Sequence, residues 1–305
     1  CRAVGAPLPR RIDIDMRVNA SASHRRGLSS LFGNDLVLTV GLPLVAGTTV
    51  EQFAGILAHE FGHFTQGAGM GFGAIVHRIN DWFARVVWQR DAWDVKLREW
   101  SNDSGLWIGF VLVLARCAVW LTRRILFGLM WVAHALSCHL SRQMEYDADL
   151  HQVRLVGGAT VAATFRRLPP LSIGESAAWR TLGDAWVEGV TVDSIPDLVV
   201  LGADGLSAEE LAALDKQTAE EKSGRFDTHP TTHDRIGRAS ADRSTPRLEC
   251  AAPATRLFAD FPRLARELTL AILEQVHPGK ISAEQLRPAS EILSRSGTER
   301  EAGQA

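Results

Sequence analysis

The chain has 305 residues, a formal net charge of −2 and 46% hydrophobic residues. That length can bury a core and has room for one elaborated domain or two small ones. The near-neutral balance leaves no nucleic-acid footprint. Four scattered cysteines (Cys1, Cys117, Cys138, Cys250) form neither a metal pair nor a disulfide framework. With no Met and no signal peptide at Cys1, the chain reads as an excerpt of a longer protein, and it holds no internal repeat.

From Arg11 to Ala20, polar and apolar residues alternate as in a half-buried strand. Leu36–Val40 is a second, more buried strand, leading through Gly41-Leu42-Pro43 into a helix. An edge strand here could hold an extended peptide by strand addition; the plainer reading is a small sheet packed on helices. Thr48-Thr49-Val50-Glu51 fits a capping box with Thr48 as N-cap. Val50, Phe53, Ile56, Leu57, Phe61 and Phe64 recur at helical spacing, and Gly67 and Gly69 mark the expected end.

Within this helix stands His59-Glu60-Phe61-Gly62-His63. Residues four apart share a helix face, so His59 and His63 can present two imidazoles to one metal ion. Glu60 is placed to take a proton from a water on that metal. Two neutral ligands, an open position and a carboxylate are what a zinc peptidase needs. The alternative is a buried helix carrying two chance histidines.

Ile79–Trp100 mixes Trp and Phe with Arg and Asp at helical spacing, as an amphipathic or ordinary surface helix would. Two greasy stretches follow, Leu106–Leu121 and Ile125–Leu140, separated by Thr122-Arg123-Arg124. They read as a pair of helices, either entering lipid or packed at its surface, with Cys117 and Cys138 packed among them. Each is shorter than the roughly 20 residues a span requires, and Arg116 opposes burial in lipid. The tryptophans Trp82, Trp88, Trp93, Trp100, Trp107, Trp120 and Trp131 fall in this region, as at a membrane boundary.

Ser141–Leu150 continues as a helix stopped near Gly157-Gly158. Glu145 and Asp149 share a face. A Glu from a second helix is one way to supply a third zinc ligand, and an Asp one turn on can hydrogen-bond the far nitrogen of a ligand His. Alone, the pair would read as a solvated acidic face; Asp147 points elsewhere. If His63 and Glu145 bind one ion, the intervening chain crosses a membrane twice or not at all. Phe226–Ile236 contains Thr228-His229-Pro230 and Arg235. A His or Arg can stabilise the oxyanion of peptide cleavage; His229 is the candidate, Arg235 lies near it, and His233 is the weaker choice. From about residue 278 the chain turns polar, as a tail fraying from Ser294 would.

These residues together resemble the HExxH–ExxxD gluzincin peptidases that include HtpX, the CAAX prenyl endopeptidases and BepA. The match runs through Val18-Asn19-Ala20, His59–His63, Glu145–Asp149 and Thr228-His229-Pro230, over roughly residues 11–240. Ser21 and Thr231 depart from the family pattern. The resemblance implies Zn(2+) held by His59, His63 and Glu145, with Glu60 as general base and His229 as oxyanion stabiliser. It also implies Asp149 behind the ligands; Arg235 is a further candidate for that supporting layer, and Val18, Asn19 and Ala20 are the candidates for substrate binding.

The expected fold is a mainly α, α+β zincin-like peptidase domain with a small antiparallel sheet and a helical insertion. Its expected parts are 1–104 with the sheet and metal helix, 105–140 the insertion, 141–277 with the third ligand and Thr-His-Pro loop, and 278–305 a polar tail. The expected activity is zinc-dependent endopeptidase at the bacterial cell membrane, acting on membrane-associated or misfolded polypeptides. A non-catalytic or chaperone-like binding module is the other reading; it has no need of Glu60.

Overall fold

The structure, a computed structural model, describes residues 1–24, 35–65, 82, 85 and 106–302. Its sheet has the order β1-β3-β2, from β1 (Arg11–Asp15), β2 (Ala20–His24) and β3 (Leu36–Gly41). β1 runs parallel to β3 and β2 antiparallel to it. The single strand expected over 11–20 is therefore two, one on each side of β3. The bend between them is stabilised locally: Asp15 Oδ1 accepts from Arg17 N, Glu175 Oε2 accepts from Val18 N, and Asn19 O accepts from Gly41 N. Gly41 is required there, because a Cβ on it would stand 1.7 Å from the Arg17 carbonyl oxygen.

β3 passes into α1 (Leu42–Ala46) and then α2 (Val50–Thr65). The reciprocal cap of α2 lies one residue later than expected. Thr49 Oγ1 accepts from Gln52 N while Gln52 Oε1 accepts from Thr49 N. Thr48 turns inward to donate to Leu44 O, and Glu51 accepts from Cys250 N. Both expected cap partners thus have other work. Phe53, Ala58 and Phe61 bury one face of α2.

α3 (Leu106–Val156) is one helix of 51 residues, where two were expected. Thr122 does not break it, because its Oγ1 donates to Ala118 O one turn back. Arg124 extends over the Trp120 ring. Among the described residues no helix is long and apolar enough to cross a membrane; Arg116, Arg123 and Arg124 interrupt this one. Its outward face is nonetheless greasy, with Phe110, Val111, Leu114, Trp120, Ile125, Leu129, Val132 and Leu136 each more than half exposed. Cys138 is buried, Cys117 faces outward, and all four cysteines are free. The segment expected as a helix over 79–100 lies outside the described residues except at positions 82 and 85.

Gly157, at φ 81°, ends α3. α4 (Gly158–Val187) then packs closely on α5 (Ile195–Asp204), where a Cβ at Gly174 would stand 2.3 Å from Val199 O. α6 (Ala208–Glu220), α7 (Thr232–Ala241) and α8 (Phe261–Val276) follow. The region expected as a polar tail contains β5 (Leu286–Arg287), parallel to β4 (Thr191–Val192), and α9 (Ala289–Ala302). Ala289 and Ile292 are buried, so this amphipathic segment joins the core formed by Leu36, Leu42, Phe53, Ile195, Leu198 and Phe261.

The chain divides into two units. The larger comprises Cys1–Thr65, Tyr146–Lys222 and Thr231–Ala305; the smaller comprises Gln66–Glu145 and Ser223–Pro230. The division falls inside the unbroken α3, immediately after Glu145. The fold is mainly α, α+β, with a small sheet as expected, but that sheet is mixed rather than purely antiparallel, because β1 runs parallel to β3.

Candidate metal centre

α2 presents His59 and His63 one turn apart, their ring centroids 4.8 Å apart and nearly perpendicular. The neighbouring stretch of α3 reaches α2 over two glycines. A Cβ at Gly62 would stand 3.1 Å from Ala148 Cα, and one at Gly55 2.9 Å from Val156 Cγ2. Gly62, inside the His-Glu-x-x-His run, thus lets a second helix backbone approach the first. Asp149, buried on that helix, has Oδ1 3.0 Å from His59 Nδ1. Arg235 of α7 grips the same carboxylate with both branches, Nε to Oδ2 at 2.8 Å and Nη2 to Oδ1 at 2.6 Å.

Nη2 also lies 3.3 Å from His59 Nδ1, but its own acceptor is Oδ1. The same Nη2 stands 3.5 Å from His59 Nε2; with its proton on Nδ1, the imidazole donates to Asp149 Oδ1. Burial is the largest influence on Asp149 and opposes its ionisation. The hydrogen bonds and charges of Arg235 and His59 outweigh it and hold the carboxyl below the usual carboxylate range. Arg235 is itself packed with Cζ 4.5 Å from the Phe165 ring centroid. Thr231, one of the departures from the family pattern, caps α7 by accepting from Asp234 N, and so fixes the helix that carries Arg235.

Glu145 is one turn before Asp149 on the same helix. Ligand atoms of His59, His63 and Glu145 all lie within 4.8 Å of one another. Around a tetrahedral zinc with bonds of about 2.1 Å, ligand atoms stand about 3.4 Å apart. Two imidazoles with one carboxylate suit zinc chemically. Glu60 lines a cavity of about 170 Å³ together with His59, Arg235 and the Val18-Asn19-Ala20 stretch. Asp147 and His233 are exposed.

His229 lies in the smaller unit, 71% exposed, with Nδ1 3.2 Å from Glu145 Oε1. Its loop is fastened along one face of α3. The Phe226 ring meets Trp131 edge-on and stacks on His134. Phe226 O accepts from the Cys138 thiol and Asp227 O accepts from Arg142 Nη1. Positions 131, 134, 138, 142 and 145 form one helical stripe. Sequence reasoning did not single out these anchors, nor Glu175, which accepts from Val18 N. The stripe was readable as i, i+3, i+4 spacing leading to Glu145; Glu175 had no local signal.

A His-Glu-x-x-His helix facing a helix with Glu and Asp four apart defines the zincin class of metallopeptidase scaffold. Comparison makes the assignment particular. The model of peptidase family M48 matches residues 17–243, and the chain belongs to that family. A Protease HtpX homolog of Bordetella petrii is 28% identical over 148 residues, 47% of this chain and 46% of that protein. Protease HtpX of Chromohalobacter salexigens is 32% identical over 138 residues, 44% of this chain and 43% of that protein. The Bordetella pertussis homolog is 28% identical over 148 residues, 47% of this chain and 46% of that protein. The chain thus spans under half the length of the curated relatives it matches. No solved structure matches it.

Proposed function

We propose that the protein is a zinc-dependent metalloendopeptidase. The observation that carries the proposal is Asp149 held against Nδ1 of His59, one turn from His63 on α2, with Glu145, His59 and His63 a set that could hold a metal ion. When bound, zinc supplies a Lewis acid that lowers the pKa of a coordinated water to about 7. Asp149, gripped by Arg235, would hold the His59 imidazole in place as a ligand by accepting from its Nδ1. Glu60 accepts the proton released by the attacking water and returns it to the leaving amine. His229, resting on Glu145, donates to the oxyanion that develops on the scissile carbonyl. Val18-Asn19-Ala20, beside His59 and Glu60, lines up an extended substrate.

We also propose that residues 105–140 are a membrane-facing insertion, on the strength of the exposed apolar face of α3. Substrates would then be membrane-associated or misfolded polypeptides, met at the bacterial cell membrane. The residue groups 1–104, 141–277 and 278–305 complete the organisation we propose, the last of them a packed extension.

The test is metal analysis joined to cleavage of casein, with and without chelator. The wild type should hold one zinc and cleave; Glu60→Gln should hold zinc and not cleave; Glu145→Ala should bind zinc more weakly. Full zinc occupancy in a His59→Ala/His63→Ala double variant would overturn the assignment.

A further inference from the structure

The cavity beside His59 and Glu60 has apolar walls from Leu44, Ile56, Phe165 and Leu168. One lining group stands apart from them. Gln152 is only 3% exposed, no hydrogen bond of its side-chain amide is seen among the described residues, and the amide is not sealed off but open to this cavity. Buried amides are nearly always paired. The other polar side chains deep in this region are engaged: Arg235 on Asp149, and Thr164 Oγ1 on Thr160 O. Gly55 makes room for Gln152, since a Cβ there would stand 3.2 Å from its Cγ and 3.2 Å from its Nε2. The site therefore accommodates a polar group and leaves its hydrogen-bonding capacity unused.

We propose that this cavity receives the substrate side chain next to the scissile bond, and that Gln152 selects an amide there, glutamine first and asparagine second. The inference rests on the peptidase reading. About 170 Å³ equals the liquid volume of about six waters. That is room for one side chain and less than a cofactor site usually offers. An apolar stem suits the four walls. On the same lining, the Gln152 amide offers N–H donors and a carbonyl acceptor, and a second amide satisfies both. A methyl end leaves both orphaned. A carboxylate satisfies the donors alone and meets Glu60 on the same lining. An ammonium satisfies the acceptor alone and meets the guanidinium of Arg235.

The experiment uses the zinc-loaded chain and a peptide of fixed sequence whose cleavage site has been mapped, varied beside the scissile bond to Gln, Asn, Leu, Met, Glu or Lys. The wild type should favour Gln over Leu in kcat/KM by about 100-fold. Gln152→Leu should reverse that order, and Gln152→Met serves should the first variant fold poorly. Identical profiles for wild type and variants overturn the inference. Anisotropy of the same peptides, labelled, on Glu60→Gln with and without Gln152→Leu separates the two readings. If nothing is cleaved but the glutamine preference in binding depends on Gln152, the peptidase reading falls and the pocket assignment stands. Equal affinities with and without the Gln152 amide overturn the pocket assignment whether or not cleavage occurs.

Discussion

Replacing Asp149 by Asn preserves the shape of the side chain and removes the charge that both His59 and Arg235 address. Two separable effects follow. In the metal-loaded protein, His59 loses the carboxylate that fixes its tautomer. Losses of this kind weaken metal binding about 10- to 100-fold, equivalent to about 1.4–2.7 kcal/mol. In the metal-free protein, the Arg235 guanidinium stays where it is, its side chain 16% exposed, opposite a neutral amide. Breaking a buried pair by removing one partner costs about 3–5 kcal/mol; the surviving Asn oxygen puts this case near the lower end. Zinc competition against a chromophoric chelator reads the first effect, and denaturant unfolding of the metal-free protein reads the second. An Asp149→Asn/Arg235→Met double variant should regain part of the stability, because no charge is left buried alone. It should not regain zinc affinity, because His59 still lacks its carboxylate. If Asp149→Asn holds zinc as tightly as the wild type, the carboxylate does not orient His59 and the chain of reasoning from Arg235 through Asp149 to the metal fails.

His229→Ala should lower kcat about 100- to 1000-fold, the usual effect of losing one oxyanion donor, while zinc content stays at one; an unchanged kcat would remove His229 from the chemistry. Acid should destabilise the fold through His151, whose Nε2 meets Thr65 Oγ1. Burial first, then the charge of Arg154, holds its pKa below the ordinary value, with Asp147 opposing. The unfolded chain therefore binds more protons between that lowered pKa and about 6.5, and stability falls as pH drops through this window. His151→Gln should flatten that part of the slope in urea unfolding followed from about pH 7.5 to about pH 5; an unaltered slope would assign the effect elsewhere. Val111, Leu114 and Trp120 already face outward, so changing them to Ser, Thr and Gln should release the protein from liposomes in flotation and leave zinc content and thermal unfolding unchanged. Loss of fold or of zinc in that variant would make them core residues instead.

Much of the candidate metal centre is legible because its signals are local. His59 and His63 lie one helical turn apart, as do Glu145 and Asp149, and helix periodicity alone puts each pair on one face. The less visible parts depend on residues far apart in the chain. Arg235 could be placed near His229 by sequence, but its grip on Asp149 depends on α7 docking 86 positions away in the chain. Gln152 reads as one more polar residue of α3 until the tertiary fold closes Leu44, Ile56 and Phe165 around it.

The fold shows the same division. Alternation from Arg11 to Ala20 announced extended chain, but not the bend at Arg17–Asn19, which depends on Gly41 lying against the Arg17 carbonyl and on Glu175 reaching Val18 N. Thr122-Arg123-Arg124 looked like an interruption because polar residues broke an apolar run. A helix in fact accepts them when the hydroxyl bonds one turn back and the arginine stems lie along its surface. One consequence follows for the site. Glu145 and the Trp131–Arg142 stripe that fastens the His229 loop belong to the same continuous helix as the greasy face from Phe110 to Leu136. Two helices joined by a turn would let the apolar segment shift without moving those residues; one unbroken helix couples the geometry of Glu145 and His229 to the helix that presents the apolar face.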